Sequence, residues 1–518
     1  MGFNLKTAIA KAIGAVPRAE MEGLVRSALR EERRATALHA RSFAAAKLTN
    51  LTDQWTVQDE HINLSLYRQL RILRARSRDM VQNSDHGRRF VSLCKTNVVG
   101  PNGVSLQVHA LKDNGEIDVL DSDRLEGAFA AWGKRGTCDV TGKLSWVDAQ
   151  NIFVAHLVRD GEVLVRKVLG RGRFGFQLQF LDPGLLNEEY NVDLANGNKI
   201  RMGVELDVWG APVAYHVYSN DPNDITRGYR GYQYVRIPAG EIIHAFLAEF
   251  SDQIRGCPPM ATPMFRMRQL ADFNDAALTA AKEGASRLGF FVSPDGEAPA
   301  TLVDDQTSDG TQITTTQPGT YDTLPQGYDF KANESEYPHG NYESFVKACL
   351  HSMAAGLNVS YHSLASDLEG VNYTSSRTGE LHDRDVWQAL QNFVVDVFCA
   401  PVYSTWLAPA LLSGQEGLDA LPFRKLAKFD AATWQPRRWQ WVDPEKEMNA
   451  NAAAIRLGLK TPSQVIREQG GDPETLWREY AADKARLAEL GIDPTQASTT
   501  LKSTGDTGNA ASSSNAQI

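Results

Sequence analysis

The apolar side chains change their period along the chain, and that change narrows the folds available to it. Short alternating runs, Glu162 to Val168, Phe176 to Leu181, Gly203 to Val208 and Val213 to Tyr218, are broken by Gly, Pro and Asn-rich turns. They predict antiparallel strands in a β-rich region from Val91 to Phe246, with a hairpin turning at Trp209-Gly210-Ala211-Pro212. From Pro263 the spacing becomes helical. Proline suits a first helical turn, so a helix is expected from there to about Phe290, with a small-residue face at Ala276, Ala277, Ala280, Ala281, Gly284 and Ala285. Tyr342, Phe345, Val346, Cys349, Leu350, Met353 and Leu357 share one stripe, which predicts a core-facing helix. The fold class is therefore α+β, and 518 residues suffice for more than one core.

Further helices are expected beyond these. One runs from about Ser376 to Cys399, where Pro401 should end or kink it. Asp443-Pro444, Thr461-Pro462 and Asp472-Pro473 each pair an N-cap with proline at the first helical position, and Gly458, Gly470 and Gly491 are the matching stops. The tail, 493–518, has little apolar content and is expected to be disordered.

The formal charge of −9 conceals a segregation along the chain. Residues 1–100 carry 17 Lys/Arg against 9 Asp/Glu, whereas residues 292–338 carry 9 Asp/Glu against Lys331 alone. Leu66, Leu70 and Leu73 mark a helix that also bears Arg68, Arg71, Arg74, Arg76 and Arg78. Those arginines are either a solvated face or a phosphate-binding surface.

Motifs for chemistry are lacking. Gly170-x-Gly172-x-x-Gly175 is followed by the alternating run Phe176, Leu178, Phe180 and not by a helix, so it reads as a β-turn and not a dinucleotide site. Gly136 to Leu144 has one residue too many for a phosphate loop and no hydroxyl after Lys143. No HExxH, GxSxG or clustered metal-ligand spacing occurs, and no cofactor is implied. His244, within the apolar run Ile242 to Phe246, reads as a satisfied core or turn residue. The cysteines at 94, 138, 257, 349 and 399 are far apart, as buried thiols in a reducing compartment would be. Met1 to Arg34 resembles an amphipathic helix and not a signal peptide, and Leu390 to Leu412 is interrupted by Asn392, Pro401 and Pro409. A cytoplasmic protein with no membrane span is expected.

Several segments, in order over roughly residues 60 to 480, resemble the lambda family of phage portal proteins. They are Leu70 to Arg78 with Asn97-Val-Val-Gly100, Arg159-Asp-Gly161-Glu162, Gly203 to Tyr215, Ile237-Pro238-Ala239 leading to His244, and Gln253-Ile-Arg255-Gly256. Asn372-Tyr373-Thr374-Ser375-Ser376-Arg377 is similar to the family's Asn-Tyr-Ser-Ser-x-Arg run, with Thr374 in place of a serine. Trp439, Trp441 and Val442 to Glu447 complete the series.

The resemblance implies a structural ring subunit, not an enzyme, at one capsid vertex of a tailed phage or prophage, assembled in the host bacterial cytoplasm. The ring, of about twelve copies, would pass double-stranded DNA. It would dock the terminase large subunit, scaffold or major capsid protein, and head-completion or tail proteins, with no membrane partner. The expected division is a mobile N-terminal segment, 1–49; a β-rich wing, 50–262; stem helix 1, 263–291; an acidic clip, 292–339; and stem helix 2, 340–363. A channel loop, 364–376, a long wing helix and return, 377–440, and a helical crown, 441–492, would follow. Candidate channel residues are Asp367, Leu368, Glu369, Gly370, Val371, Asn372 and Tyr373; candidate clip acids are Asp304, Asp305 and Asp309. Two other readings stay open from sequence. One is a sequence-nonspecific DNA-binding protein acting through the arginines of 68–78; the other is a hydrolase assembled from dispersed residues.

Overall fold

The computed structural model describes residues 30, 59–115, 117–219, 233–286, 289–292, 305–306, 312–313, 329–332, 340–367, 369, 373–439 and 444–489. The chain divides into a unit of residues 1–61, described at 30 and 59–61, and a unit of residues 62–518 that holds all the elements below.

Among the described residues from 62 onward, four helices come first: α1 (Ile62–Asn83), α2 (Asp85–Val98), α3 (Val119–Trp132) and α4 (Trp146–Asp160), with strand β1 (Ser105–Val108) after α2. The β-rich region expected from Val91 thus begins at residue 162. Helices α3 and α4 stand where strands were expected: Leu125, Ala128, Phe129 and Trp132, and then Ala149, Phe153 and Leu157, recur at helical spacing and are buried. Helix α4 starts on a reciprocal cap, in which Ser145 Oγ accepts from Asp148 N while the Asp148 carboxylate accepts from Ser145 N. It ends at Gly161, whose φ of +85° suits glycine.

Strands β2 (Glu162–Leu169) and β3 (Phe176–Leu181) form a hairpin with the triple-glycine turn between them, as read from sequence. With β9 (Ile242–Phe246) they make an antiparallel sheet ordered β3-β2-β9. A second antiparallel sheet runs in order through β4 (Val192–Asp193), β5 (Lys199–Arg201), β6 (Val204–Leu206), β7 (Pro212–Tyr218) and β8 (Tyr234–Pro238). The hairpin at 207–211 joins β6 to β7, and its Asp207 carboxylate accepts from Trp209 N and Ala211 N. Central strand β2 is buried on both faces: Val163 and Val165 belong to the main core, and Leu164 to a second core with Val204, Tyr215, Val217 and Ile237.

Helix α5 (Met264–Ser286) is shorter than expected, because strand β10 (Gly289–Val292) begins where it was to continue. The stretch between the two long helices holds β10, β11 (Asp305–Gln306), β12 (Gln312–Ile313) and β13 (Asp329–Ala332) in two small antiparallel sheets. Helix α6 (Tyr342–Gly356) departs from its expectation on one half of its stripe. Leu350, Met353 and the following Leu357 are buried, but Phe345, which packs edge-on against Phe273 of α5, is exposed.

After a short helix α7 (Tyr361–Ala365), helix α8 (Tyr373–Val394) passes through one π turn, Val395–Cys399, and continues as α9 (Ala400–Ser413). Pro401 does not stop it. The proline occupies the first turn of α9, where the wide π turn takes up the missing amide. Among the described residues one helix, Thr378–Ser413, is long and apolar enough to cross a membrane. It is a core helix: Val394, Phe398, Val402, Tyr403, Trp406 and Leu407 are fully buried. Phe129 is the hub there, with Trp132, Trp146, Tyr403, Trp406 and Trp434 rings at 5.1 to 6.0 Å. Trp434 lies on β14 (Ala432–Gln435), which pairs with β1. Helices α10 (Pro444–Arg456), α11 (Pro462–Glu468) and α12 (Pro473–Glu489) follow, beginning at the prolines expected.

Candidate functional site

Two glycines bring one carboxylate and one guanidinium together. A Cβ on either Gly161 or Gly256 would lie under 3.0 Å from backbone of the opposite segment, so the chain can cross itself here only where both residues are glycine. Their neighbours Glu162 and Arg255 are both fully buried and meet at 2.5 Å. Glu162 also accepts from Arg255 Nε at 2.8 Å, Arg74 Nη2 at 3.0 Å and Gly256 N at 3.2 Å, with His244 Nε2 at 3.1 Å. Arg255 Nη1 donates to the Leu186 and Met202 carbonyls, so it joins the two sheets. Burial alone would raise the Glu162 carboxyl, but Arg255, His244 and Arg74 hold it well below the ordinary carboxylate range. His244 is thus a satisfied core residue, as its apolar surroundings suggested.

The cluster extends through helix α1. Leu66, Leu70, Arg74 and Arg78 follow one another at four-residue steps, so the two arginines continue the buried leucine stripe. Arg74 reaches Glu162 and, at 2.9 Å, Glu188. Arg78 pairs with Asp160 at 2.7 Å and Asp182 at 2.9 Å, and these carboxylates raise its guanidinium against the opposing effect of burial. Asp182 is correspondingly lowered, Arg78 outweighing burial. The basic helix expected as one phosphate surface is therefore divided. Arg74 and Arg78 are committed to internal carboxylates, and Arg68, Arg71 and Arg76 are exposed. This removes two of the five cations from the DNA-binding alternative.

The candidate loop begins on a built support. Asp367 accepts from Tyr361 Oη at 2.8 Å and from Glu369 N at 2.9 Å, and Lys347 Nζ lies 3.9 Å away. His362 Nδ1 is 2.9 Å from the Asp367 carbonyl, and His351 stacks on Tyr361. The Glu369 amide, then Tyr361 and Lys347, lower the Asp367 carboxyl, and Glu343 chiefly raises Lys347. Asp367 thus anchors the loop to α6 and α7 through its own turn, while Glu369 is exposed. Asp383, on α8, fixes the start of α7 by accepting from Ser360 N, Ser360 Oγ and Ser363 Oγ. Leu368, Gly370, Val371 and Asn372 lie outside the described residues, and Tyr373 is the first residue of α8. Of the acidic trio, Asp304 and Asp309 lie outside them as well, and Asp305 opens β11.

The buried cluster was not identified as a site from sequence, although its residues stood inside four of the quoted segments, Leu70 to Arg78, Arg159 to Glu162, Ile237 to His244 and Gln253 to Gly256. Its signal was a charged residue heading an apolar strand beside a glycine. Among the described residues no group of three or more His, Cys, Asp or Glu side chains could hold a metal ion.

Comparison with known proteins agrees with the sequence resemblance. The profile of the phage portal protein, lambda family, matches residues 49–391. The probable portal protein of Halomonas phage phiHAP-1 is 33% identical over 464 residues, spanning 87% of this chain and 88% of that protein. Portal protein B of Escherichia phage lambda is 20% identical over 488 residues, spanning 85% and 88%. Among solved structures, a chain from the neck of an empty GTA particle is 14% identical, with a TM-score of 0.40, covering 78% of this chain and 94% of that one.

Proposed function

Because the chain belongs to the lambda family of phage portal proteins, we propose that it lines a DNA passage at the capsid vertex and works there as a structural part. Copies would assemble into the ring in the host cytoplasm. Double-stranded DNA would pass through during packaging and ejection, driven by the ATP-hydrolysing terminase. The observation that carries this reading is the family match over most of the chain. The shape of the charge distribution supports it. Arg74 and Arg78 of α1 are drawn inward onto carboxylates, and the chain as a whole is acidic, so fewer cations are left to hold a DNA duplex that must slide.

In this reading α5 and α6 are the stem, the small sheets between them are the clip that docks terminase, and 364–376 is the channel loop. Asp367 positions the loop, and Glu369 presents charge that repels phosphate. Deleting 367–372 tests this in a packaging assay with otherwise complete proheads. Rings should form normally while packaged DNA is lost or leaks. Normal packaging and retention would remove the loop assignment.

A further inference from the structure

The last three helices bury almost nothing. No residue of α10 or α11 is buried, and among the described side chains of α12 Pro473 alone is. Their large apolar side chains lie open instead: Met448, Leu457, Leu459, Leu476, Trp477 and Tyr480 are between 44% and 74% exposed. Helices of 13, 7 and 17 residues are marginal in water unless an apolar face is covered. Helix α12 is tied to the body near its start, where Arg478 pairs with Asp123 at 3.0 Å between two half-exposed side chains. That contact is of the weak surface kind. The local turns are nonetheless well made: Thr461 caps α11 by accepting from Gln464 N, and Gly458 and Gly470 take positive φ after α10 and α11. The segment is built to be helical and lacks a core to rest on.

The open side chains form two groups. Leu457 and Leu459 lie together in the turn after α10, whereas Met448, nine residues before Leu457, opens on the opposite side of that helix. Leu476, Trp477 and Tyr480 occupy one arc of α12, at positions i, i+1 and i+4. A closed ring is made of head-to-tail contacts, in which every copy offers two different surfaces and each meets the other surface of a neighbour. Two apolar groups on one segment meet that requirement, and Trp and Tyr are residues that buried interfaces favour. We propose that residues 444–489 form a belt between neighbouring copies. The Leu457 and Leu459 turn of one copy seats against the α12 group of the next, and the three helices become stably folded as the ring closes. This inference rests on the portal reading above. With two such side chains on one surface and three on the other, the belt falls well short of the ~800 Å² per partner that a standard interface buries, so it adds to a ring contact and does not make it alone.

Hydrogen exchange on the full chain, in separated monomer and ring fractions, tests the belt. Amides of 444–489 should exchange at least about tenfold more slowly in rings, while those of α4 and β2 stay unchanged as a control of folding. A Leu457→Asp, Leu459→Asp double variant should lose that protection even in the rings that form, and Trp477→Ser should do the same from the opposite surface. Equal exchange over 444–489 in monomer and ring, or full protection in rings of both variants, would overturn the belt and leave the ring standing. A wild-type chain that forms no ring would instead remove the portal reading on which the belt rests.

Discussion

Replacing Glu162 by Gln isolates charge from shape at the point where helix α1 and the two sheets meet. The carboxylate takes two hydrogen bonds from Arg255, one from Arg74 and one from Gly256 N, and contacts His244, with no solvent exposure. Glutamine keeps one acceptor and turns the other oxygen into a donor facing donors. Arg255 and Arg74 would be left buried with Glu188 as their nearest remaining carboxylate, at 4.0 and 2.9 Å. Removing one partner of a buried ion pair costs about 3–5 kcal/mol, and two guanidinium groups losing the same partner place the expected cost at about 4 kcal/mol. Urea unfolding followed by tryptophan fluorescence measures it. Replacing both Glu162 and Arg255 by apolar residues should cost less than removing Glu162 alone, because no charge is stranded by that pair change. The acid limb has a defined sign. The folded Glu162 carboxyl lies well below its unfolded value, near 4.3, so its contribution is complete above about pH 5 and is lost as pH falls through the folded value. The Gln variant should lack that part of the acid dependence. A loss under about 1 kcal/mol, the range of a surface pair, would refute the reasoning.

Gly256→Ala should be more damaging than its size suggests, because the added Cβ would press on the Gly161 backbone; soluble yield and unfolding midpoint would both fall, and a wild-type midpoint would contradict the crossing described. Arg71→Glu with Arg76→Glu, on the exposed side of α1, should leave the unfolding midpoint within about 0.5 kcal/mol of wild type, whereas Arg74→Glu should not, since it meets Glu162 and Glu188. Lysine at Asp304, Asp305 and Asp309 should weaken terminase binding or alter its salt dependence, measured by co-sedimentation across a salt series; unchanged binding would remove the acidic-clip proposal.

The legible part of the fold was what local chemistry specifies. The β2-β3 hairpin followed from alternation around three glycines, and the starts of α10, α11 and α12 from proline behind a capping position. The course of α8 into α9 did not, because Pro401 signals a break unless a π turn precedes it, and nothing in the local pattern announces one. Arg74 and Arg78 looked like members of a basic face because their partners lie more than 80 residues away in sequence; the four-residue step from Leu66 and Leu70 was the clue that they point inward. Phe345 was read as core because periodicity reports which face is apolar, not how far along the helix a neighbour covers it. For the loop, sequence identified the acids, but it could not show that Asp367 would be taken up by Tyr361 and the Glu369 amide, leaving Glu369 as the exposed charge.

Negative-stain electron microscopy with light scattering on the purified full chain at moderate salt tests the central claim most directly. The account predicts closed rings with a central channel and a scattering mass many times the 57.1 kDa of one chain. A uniform 57.1 kDa species across protein concentrations and salt would contradict it.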